Sequence, residues 1–390
     1  MKNGLLLNSK KVDSNENISS QKMQKKLTCY ELMHGNKKVA EINTRGEAAI
    51  LEEKFFPYDL YLEEERDFDT LINNMNNFYH WCASRVLSLD RKYAKEILNS
   101  IGMAQATTDL DRAKISLSYH CVSLTDIYWV REKNEAVSFD SLNLYDHSLN
   151  EALVALPLRG KSMTVTNQEL APDLSTKGCF PKAWIRREND FILLKDGGDD
   201  AVKRELIASR VCQCFDFPQV VYKEGFYDGE RVTESRIITS KQYSIISKMA
   251  FEIYALNHDL NVLEECIRVD EKTYYGMNIL DYLVGNIDRH PENWGFLVDN
   301  QTNEYVSLYP IMDFNQSFGS YDTLEGAPCQ TVYPERKTQR EAAIEAVHRI
   351  GLHQVKEVDG SIFEDMTEWK DMFFRRLEEL KHISSAGMNI

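Results

Sequence analysis

Long apolar runs are missing from this sequence. No stretch of its 390 residues approaches the roughly 18 consecutive apolar residues of a membrane-spanning helix. Leu5, Leu6 and Leu7 form too short a run for the core of a signal peptide. A cytoplasmic protein without a membrane partner is therefore expected. Cysteines at metal-binding spacing are missing too. The eight stand at 29, 82, 121, 179, 212, 214, 266 and 329. Only Cys212 and Cys214 are close, and no paired His or Cys follows at a zinc spacing. They read as buried or half-buried free thiols. Positive charge is short as well. A formal net charge of -15 repels phosphate backbones and excludes broad nucleic-acid binding, though not a local basic pocket.

What is present points to a globular protein. Hydrophobic residues make up 43% and aromatics 11%, enough to build real cores. The length exceeds what one core usually fills, so two or three packed units are expected. Residues 1-26 are polar and aperiodic, with six lysines against Asp13 and Glu16. This local +4 leaves about -19 on the remainder, and the segment reads as a flexible leader.

Residues 27-150 read as a mixed α+β unit with no evident chemistry. Segments 27-33 and 37-44 are strand candidates joined by a turn at His34-Gly35-Asn36. Leu71, Met75, Phe78, Cys82 and Val86 recur at helical spacing, which predicts a helix over 67-87; a second is predicted over 91-102. The β-branched and aromatic segment 126-132 predicts a strand.

From 160 to 240 the texture changes. A short strand is predicted at 162-167, then a loop with Gly178 and Pro181. Strands are predicted at 182-189 and 190-195 around a Glu188-Asn189-Asp190 turn. A helix over 199-215 follows, with Asp199 or Asp200 as its N-cap, then two strands within 217-240 turning at Asp228-Gly229. Strand pair, helix, strand pair is the layout of a kinase small lobe. From 241 to 390 the pattern turns helical: 241-256, 278-287, 338-351 and 366-382 all carry helix-like apolar spacing.

The chemistry concentrates in GNIDRHPENWGF (285-296) and YPIMDF (309-314). Phosphoryl transfer needs a carboxylate near the acceptor hydroxyl, oxygen ligands for Mg²⁺ and a cation on the nucleotide phosphates. Asp288 and Asn293 are five apart, as are the Asp and Asn of the protein-kinase H-R-D-x-x-x-x-N loop. Asp313 follows an apolar run that predicts a strand ending there, the place of the second metal ligand of a kinase.

D-R-H-x-x-N followed by an apolar run and Asp resembles the HipA-like kinases, and also the same segment in phosphatidylinositol kinases. The S-T-x-G-x-x-P-K-A-W loop, the Lys that ends FILLK, the helix with an early Glu and VSLTDIYW (122-129) favour the HipA-like kind. The resemblance covers roughly residues 110-385. It implies an α+β, two-lobed protein-kinase-like fold: a β-rich small lobe (160-240), a helical large lobe (241-390) and an N-terminal accessory unit. It implies ATP and Mg²⁺ as cofactors. Asp288 would orient or deprotonate the acceptor hydroxyl, and Asn293 and Asp313 would hold Mg²⁺. Lys195 would bind the α/β-phosphates and pair with Glu205. Ser175, Thr176 and Gly178 would lie in the phosphate-covering loop. The hinge that grips adenine would fall near Ile237-Ser240, with Ile238 and Ser240 in contact. In this family a serine of the phosphate-covering loop can be autophosphorylated to switch the enzyme off; Ser175 and Thr176 are the candidates here. A protein substrate, a toxin role and an antitoxin-type partner are implied in the same way. The sequence departs from eukaryotic kinases in Asp313-Phe314-Asn315, which lacks the Gly of D-F-G, and in a loop with one glycine.

Each residue also has an ordinary reading. A strand-end Lys such as Lys195 is often a solvated gatekeeper. Glu205 alone could be a solvated helix face. His290 reads as a hydrogen-bonding residue, and Trp294, Tyr274 and Tyr275 as core. Two other functions stay open: a lipid or small-molecule kinase, and an inactive kinase fold used for binding.

Overall fold

The computed structural model describes residues 27-85, 108-147, 182-187, 190-195, 197-227, 229-319, 322-332 and 334-387. The leader, the predicted elements at 91-102 and 162-167, and parts of the turns at 188-190 and 228-229 lie outside them.

The first sheet is built from β1 (Cys29–His34), β2 (Lys37–Asn43), β3 (Ala48–Ile50) and β4 (Tyr128–Glu132), in the order β3-β2-β1-β4, all antiparallel. Helix α1 (Phe68–Ser84) covers it, packed on α2 (Asp109–Ser118). Asp67 caps α1 by accepting from the Asp69 and Thr70 N–H groups. Leu32, Val39, Phe78, Trp81, Cys82 and Val130 form a core of their own.

The second sheet, β5-β6-β8-β7, joins β5 (Lys182–Arg187), β6 (Asp190–Lys195), β7 (Lys223–Tyr227) and β8 (Glu230–Arg236). Helix α3 (Asp199–Cys212) packs against β8. Its N-cap is Gly198 (φ 80°) with no side-chain hydrogen bond, so Asp199 and Asp200 stand in the first turn and do not cap. There they still favour the helix through its dipole.

The helical C-terminal part also carries a third sheet, which corrects the helix predicted over 241-256. Residues 243-247 form β9 (Tyr243–Ser247), not the start of a helix. It pairs with β10 (Gly295–Asp299), which pairs in turn with β11 (Glu304–Leu308). Ser247 ends the strand and caps α4 (Lys248–Asn257) by accepting from Ala250 N–H, which fixes where that helix begins. Gly295 is what admits β9 so closely: a Cβ there would lie 2.1 Å from the Ile246 carbonyl oxygen.

Helix α5 (Val262–Val284) is the central buried element. It kinks at Asp270 (φ -153°, ψ 71°), whose carboxylate accepts from the Thr273 and Leu308 N–H groups. Gly285, left-handed at φ 61°, ends α5 and turns the chain into the segment that holds Asp288. Helices α6 (Gln339–Ile350) and α7 (Thr367–Gly387) close the lobe around it. The run Tyr309-Met312 is not a strand; β11 ends at Leu308, and only Ile311 makes a single bridge, to Gln219.

All seven described cysteines are free, and five of them are buried. Trp294, Tyr274 and Tyr275 are buried in the main core. No described helix is long and apolar enough to cross a membrane.

Candidate active site

Lys195 is the last residue of β6, paired in register with Thr233 of β8. That places its side chain inside the molecule. Its ammonium lies 2.8 Å from Glu205 Oε1 and 2.8 Å from Asp313 Oδ1, across 10 and 118 residues of chain. The other Glu205 oxygen accepts from Thr233 Oγ1 at 2.6 Å. Lys195 is 6% exposed and Glu205 1%, so neither is a solvated surface charge. Burial alone would lower the Lys195 pKa, but Asp313 and Glu205 overcome it and hold the ammonium charged. Buried charges of this kind persist only when paired.

Asp313 sits on a left-handed residue (φ 63°) and its N–H donates to the Tyr222 hydroxyl at 3.0 Å. The Tyr222 ring lies 5.2 Å from the Lys195 ammonium. Three elements of distant sequence thus converge: the end of β6, the middle of α3 and the segment after β11.

The 286-293 loop folds back on itself. Asn286 Oδ1 accepts from Asp288 N–H at 3.2 Å, and Asn293 Nδ2 donates to the Asp288 carbonyl at 2.8 Å. His290 Nδ1 accepts from Glu292 N–H at 3.2 Å, which leaves Nε2 3.9 Å from Asp288 Oδ1. Burial raises the Asp288 pKa above the ordinary carboxylate value; His290 opposes this and Asp313 adds to it. The bond from Asn293 Nδ2 leaves its amide oxygen as the end available to a cation. Among the described residues no group of three or more His, Cys, Asp and Glu could hold a metal. One amide oxygen and one carboxylate suit a hard cation that takes its other oxygens from phosphate and water, as Mg²⁺ does.

Sequence reasoning missed the residues beneath this loop. Arg289 is buried and grips Asp281 with two prongs, at 2.8 and 2.9 Å. It also donates to the carbonyls of Asn293 and Met312, which ties the Asp288 loop to the approach to Asp313. Asn286 Nδ2 bridges Asp281 (3.0 Å) and the Asp313 carbonyl (3.3 Å). Gln339 at the start of α6 donates to the Asn286 carbonyl. One signal was available: Asp281 is a carboxylate inside the apolar run NILDYLV, where charge is rarely buried unless paired.

Ile238 and Ser240 lie on the segment from β8 to β9, which links the second sheet to the third. Ser175, Thr176 and Gly178 lie outside the described residues. A cleft of about 880 Å³ lies elsewhere, between Phe318-Gly319 and α7, and none of the candidate residues lines it.

No model of a known protein family matches the chain. A curated relative, the serine/threonine-protein kinase CtkA of Helicobacter pylori (strain J99), is 26% identical over 123 residues. That match covers 28% of this chain and 37% of the relative's length. The crystal structure of the Helicobacter pylori proinflammatory kinase CtkA aligns at a TM-score of 0.40 and 15% identity, over 53% of this chain and 94% of that one. HipA of the Shewanella oneidensis MR-1 toxin–antitoxin system, solved with HipB and operator DNA, aligns at a TM-score of 0.50 and 11% identity. The alignment covers 91% of this chain and 99% of HipA. The fold of this chain is similar to that of HipA. In this chain the second sheet with α3 makes a β-rich small lobe, and α4 to α7 with the third sheet make a helix-rich large lobe. The Lys195–Glu205–Asp313 cluster bridges the two.

Proposed function

We propose that this protein is an ATP- and Mg²⁺-dependent phosphotransferase acting on a Ser or Thr hydroxyl of a protein. The observation that carries the reading is the buried contact of Lys195 with both Glu205 and Asp313, at 2.8 Å each. A buried lysine bracketed by two carboxylates from separate elements is costly to build for stability alone. Next to an Asp–Asn loop, it matches what phosphoryl transfer requires.

In this reading Lys195 binds the α/β-phosphates, and Glu205, anchored by Thr233, keeps it aimed. Asn293 Oδ1 and the Asp313 carboxylate would hold Mg²⁺, which would supply positive charge to the phosphate oxygens. Asp288 orients the acceptor hydroxyl and takes its proton as the new O–P bond forms and ADP leaves. Arg289 and Asp281 keep that loop in register. Ser175, Thr176 and Gly178 belong to the proposal as the phosphate cover, and Ile238 and Ser240 as part of the hinge. We assign the units as 1-26, 27-150, 160-240 and 241-390. An antitoxin-type partner belongs to the same proposal, since the Shewanella HipA was solved with HipB.

The test is incubation with γ-labelled ATP and Mg²⁺ beside Asp288→Asn, read by intact mass and peptide mapping. Label on Ser or Thr that is absent from the variant is expected. ATP binding without label would favour a lipid or small-molecule acceptor. Absence of both would leave an inactive binding module as the better account.

A further inference from the structure

The segment from β8 to β9 can be followed group by group for its backbone hydrogen bonds. Ile237 N–H donates to the Phe191 carbonyl at 3.0 Å. Ser240 N–H donates to the Tyr243 carbonyl at 2.8 Å. The carbonyls of Ser240 and Lys241 accept from Asn300 Nδ2 at 3.4 and 3.2 Å, and that of Gln242 from Asn300 N–H at 2.8 Å. Between these fixed points, Ile238 and Thr239 make no backbone hydrogen bond among the described residues. Yet Thr239 is 5% exposed. It is held through its side chain: Thr239 Oγ1 donates to the carbonyl of Leu124.

Leu124 belongs to the N-terminal unit, in the VSLTDIYW segment. The next carbonyl, that of Thr125, accepts from Ile245 N–H of β9 at 2.9 Å. One turn therefore grips both the middle of the hinge and the strand that follows it. The turn is itself stiff. Ser123 Oγ accepts from Thr125 N–H at 3.1 Å. The Asp126 carboxylate takes two prongs from the buried Arg85, at 2.9 and 2.5 Å, and accepts from Tyr128 N–H at 2.8 Å. Arg85 also donates to the carbonyls of Cys121 and Tyr128.

We propose that the Ser123–Asp126 turn is a positioning element for the nucleotide. By holding Thr239 through its hydroxyl, it leaves the N–H and C=O groups of Ile238 and Thr239 without a backbone partner among the described residues, and these would meet the donor and acceptor edge of a purine. Unpaired backbone groups in a half-buried segment are costly, and a base edge would satisfy them. The N-terminal unit is then part of the nucleotide site without touching the nucleotide. This inference rests on the phosphotransferase reading.

The test titrates Mg·ATP by calorimetry into the full chain, Thr239→Val, Thr239→Ser and Asp126→Asn. ADP formation at saturating Mg·ATP and melting temperature are read alongside. Thr239→Val should weaken Kd about five- to tenfold, the scale of one lost hydrogen bond to a fixed geometry. Thr239→Ser should restore the parent Kd. Asp126→Asn, which touches no hinge residue, should weaken Kd in the same direction. An unmoved Kd in Thr239→Val, or a serine variant that fails to restore it, overturns the proposal. A saturated rate that falls with Kd unchanged does so as well. Failure of the parent itself to bind Mg·ATP would sink the phosphotransferase reading and this inference with it. Parent binding with an indifferent Thr239→Val sinks only this one.

Discussion

Burial raises the Asp288 carboxyl, His290 pulls it down, Asp313 pushes it up again, and Arg289 and Lys195 oppose the rise. The net pKa stands above the ordinary carboxylate value. A folded-state pKa above the unfolded one means that folding takes up a proton. Stability from this group is then fully present below the unfolded pKa and lost as pH rises through the folded one. At neutral pH the ionised Asp288 is a cost to the fold. Asp288→Asn should therefore melt at the parent temperature or above it while losing turnover by about 10²–10⁴-fold; a lower melting temperature would contradict this account. The same shift predicts that turnover falls on acidification with a midpoint above that of an ordinary aspartate, which a pH–rate profile reads directly. Lys195 is the opposite case. Lys195→Met leaves Glu205 buried without its cation and should cost about 3–5 kcal/mol in denaturant unfolding. A small loss would mean that the pair is not closed in solution.

Among the elements, β9 and β10 were the hardest to read. Tyr243, Ile245 and Ile246 fit helix and strand templates alike over so short a run. What decides for strand is β10, some fifty residues on, and the glycine that lets the two backbones meet. Gly295→Ala would force a Cβ against the Ile246 carbonyl, so we expect a destabilisation on the order of 1–3 kcal/mol; a neutral alanine variant would show that β9 can shift away freely. α1, α3 and the β5–β6 pair were legible because their periodicity is long or their turns well marked. Asp199 and Asp200 misled because helix-start residues occupy the first turn as readily as the cap.

At the scale of the whole molecule, the N-terminal unit is joined to the large lobe through one residue in particular. Asn303, left-handed at φ 56° and 4% exposed, donates to the carbonyls of Lys54 and Phe56 and accepts from the Tyr128 hydroxyl. Its own carbonyl accepts from Tyr58 OH. Asn303→Ala loses these side-chain bonds and strains the backbone, so it should destabilise by roughly 1–3 kcal/mol. Asn303→Gly removes the same side chain but keeps the left-handed conformation at no steric cost, and should lose less. Equal losses would show that φ plays no part. Nothing in the local sequence marked this joint, because its partners lie about 175 to 250 residues away.

The sequence by itself determined some local things: the helices α1, α3, α6 and α7, the turn between β1 and β2, and the spacing of Asp288, Asn293 and Asp313. Periodicity and spacing are properties of neighbouring residues, and neighbours are what a sequence records. Tertiary structure alone decided the rest: that Lys195 faces two carboxylates and not solvent, that Arg289 and Asp281 brace the loop from beneath, and that a turn near residue 124 holds the β8–β9 segment near residue 239. Each of these is a contact between groups far apart in the chain. Whether a charge is buried and paired depends on what the fold brings to it.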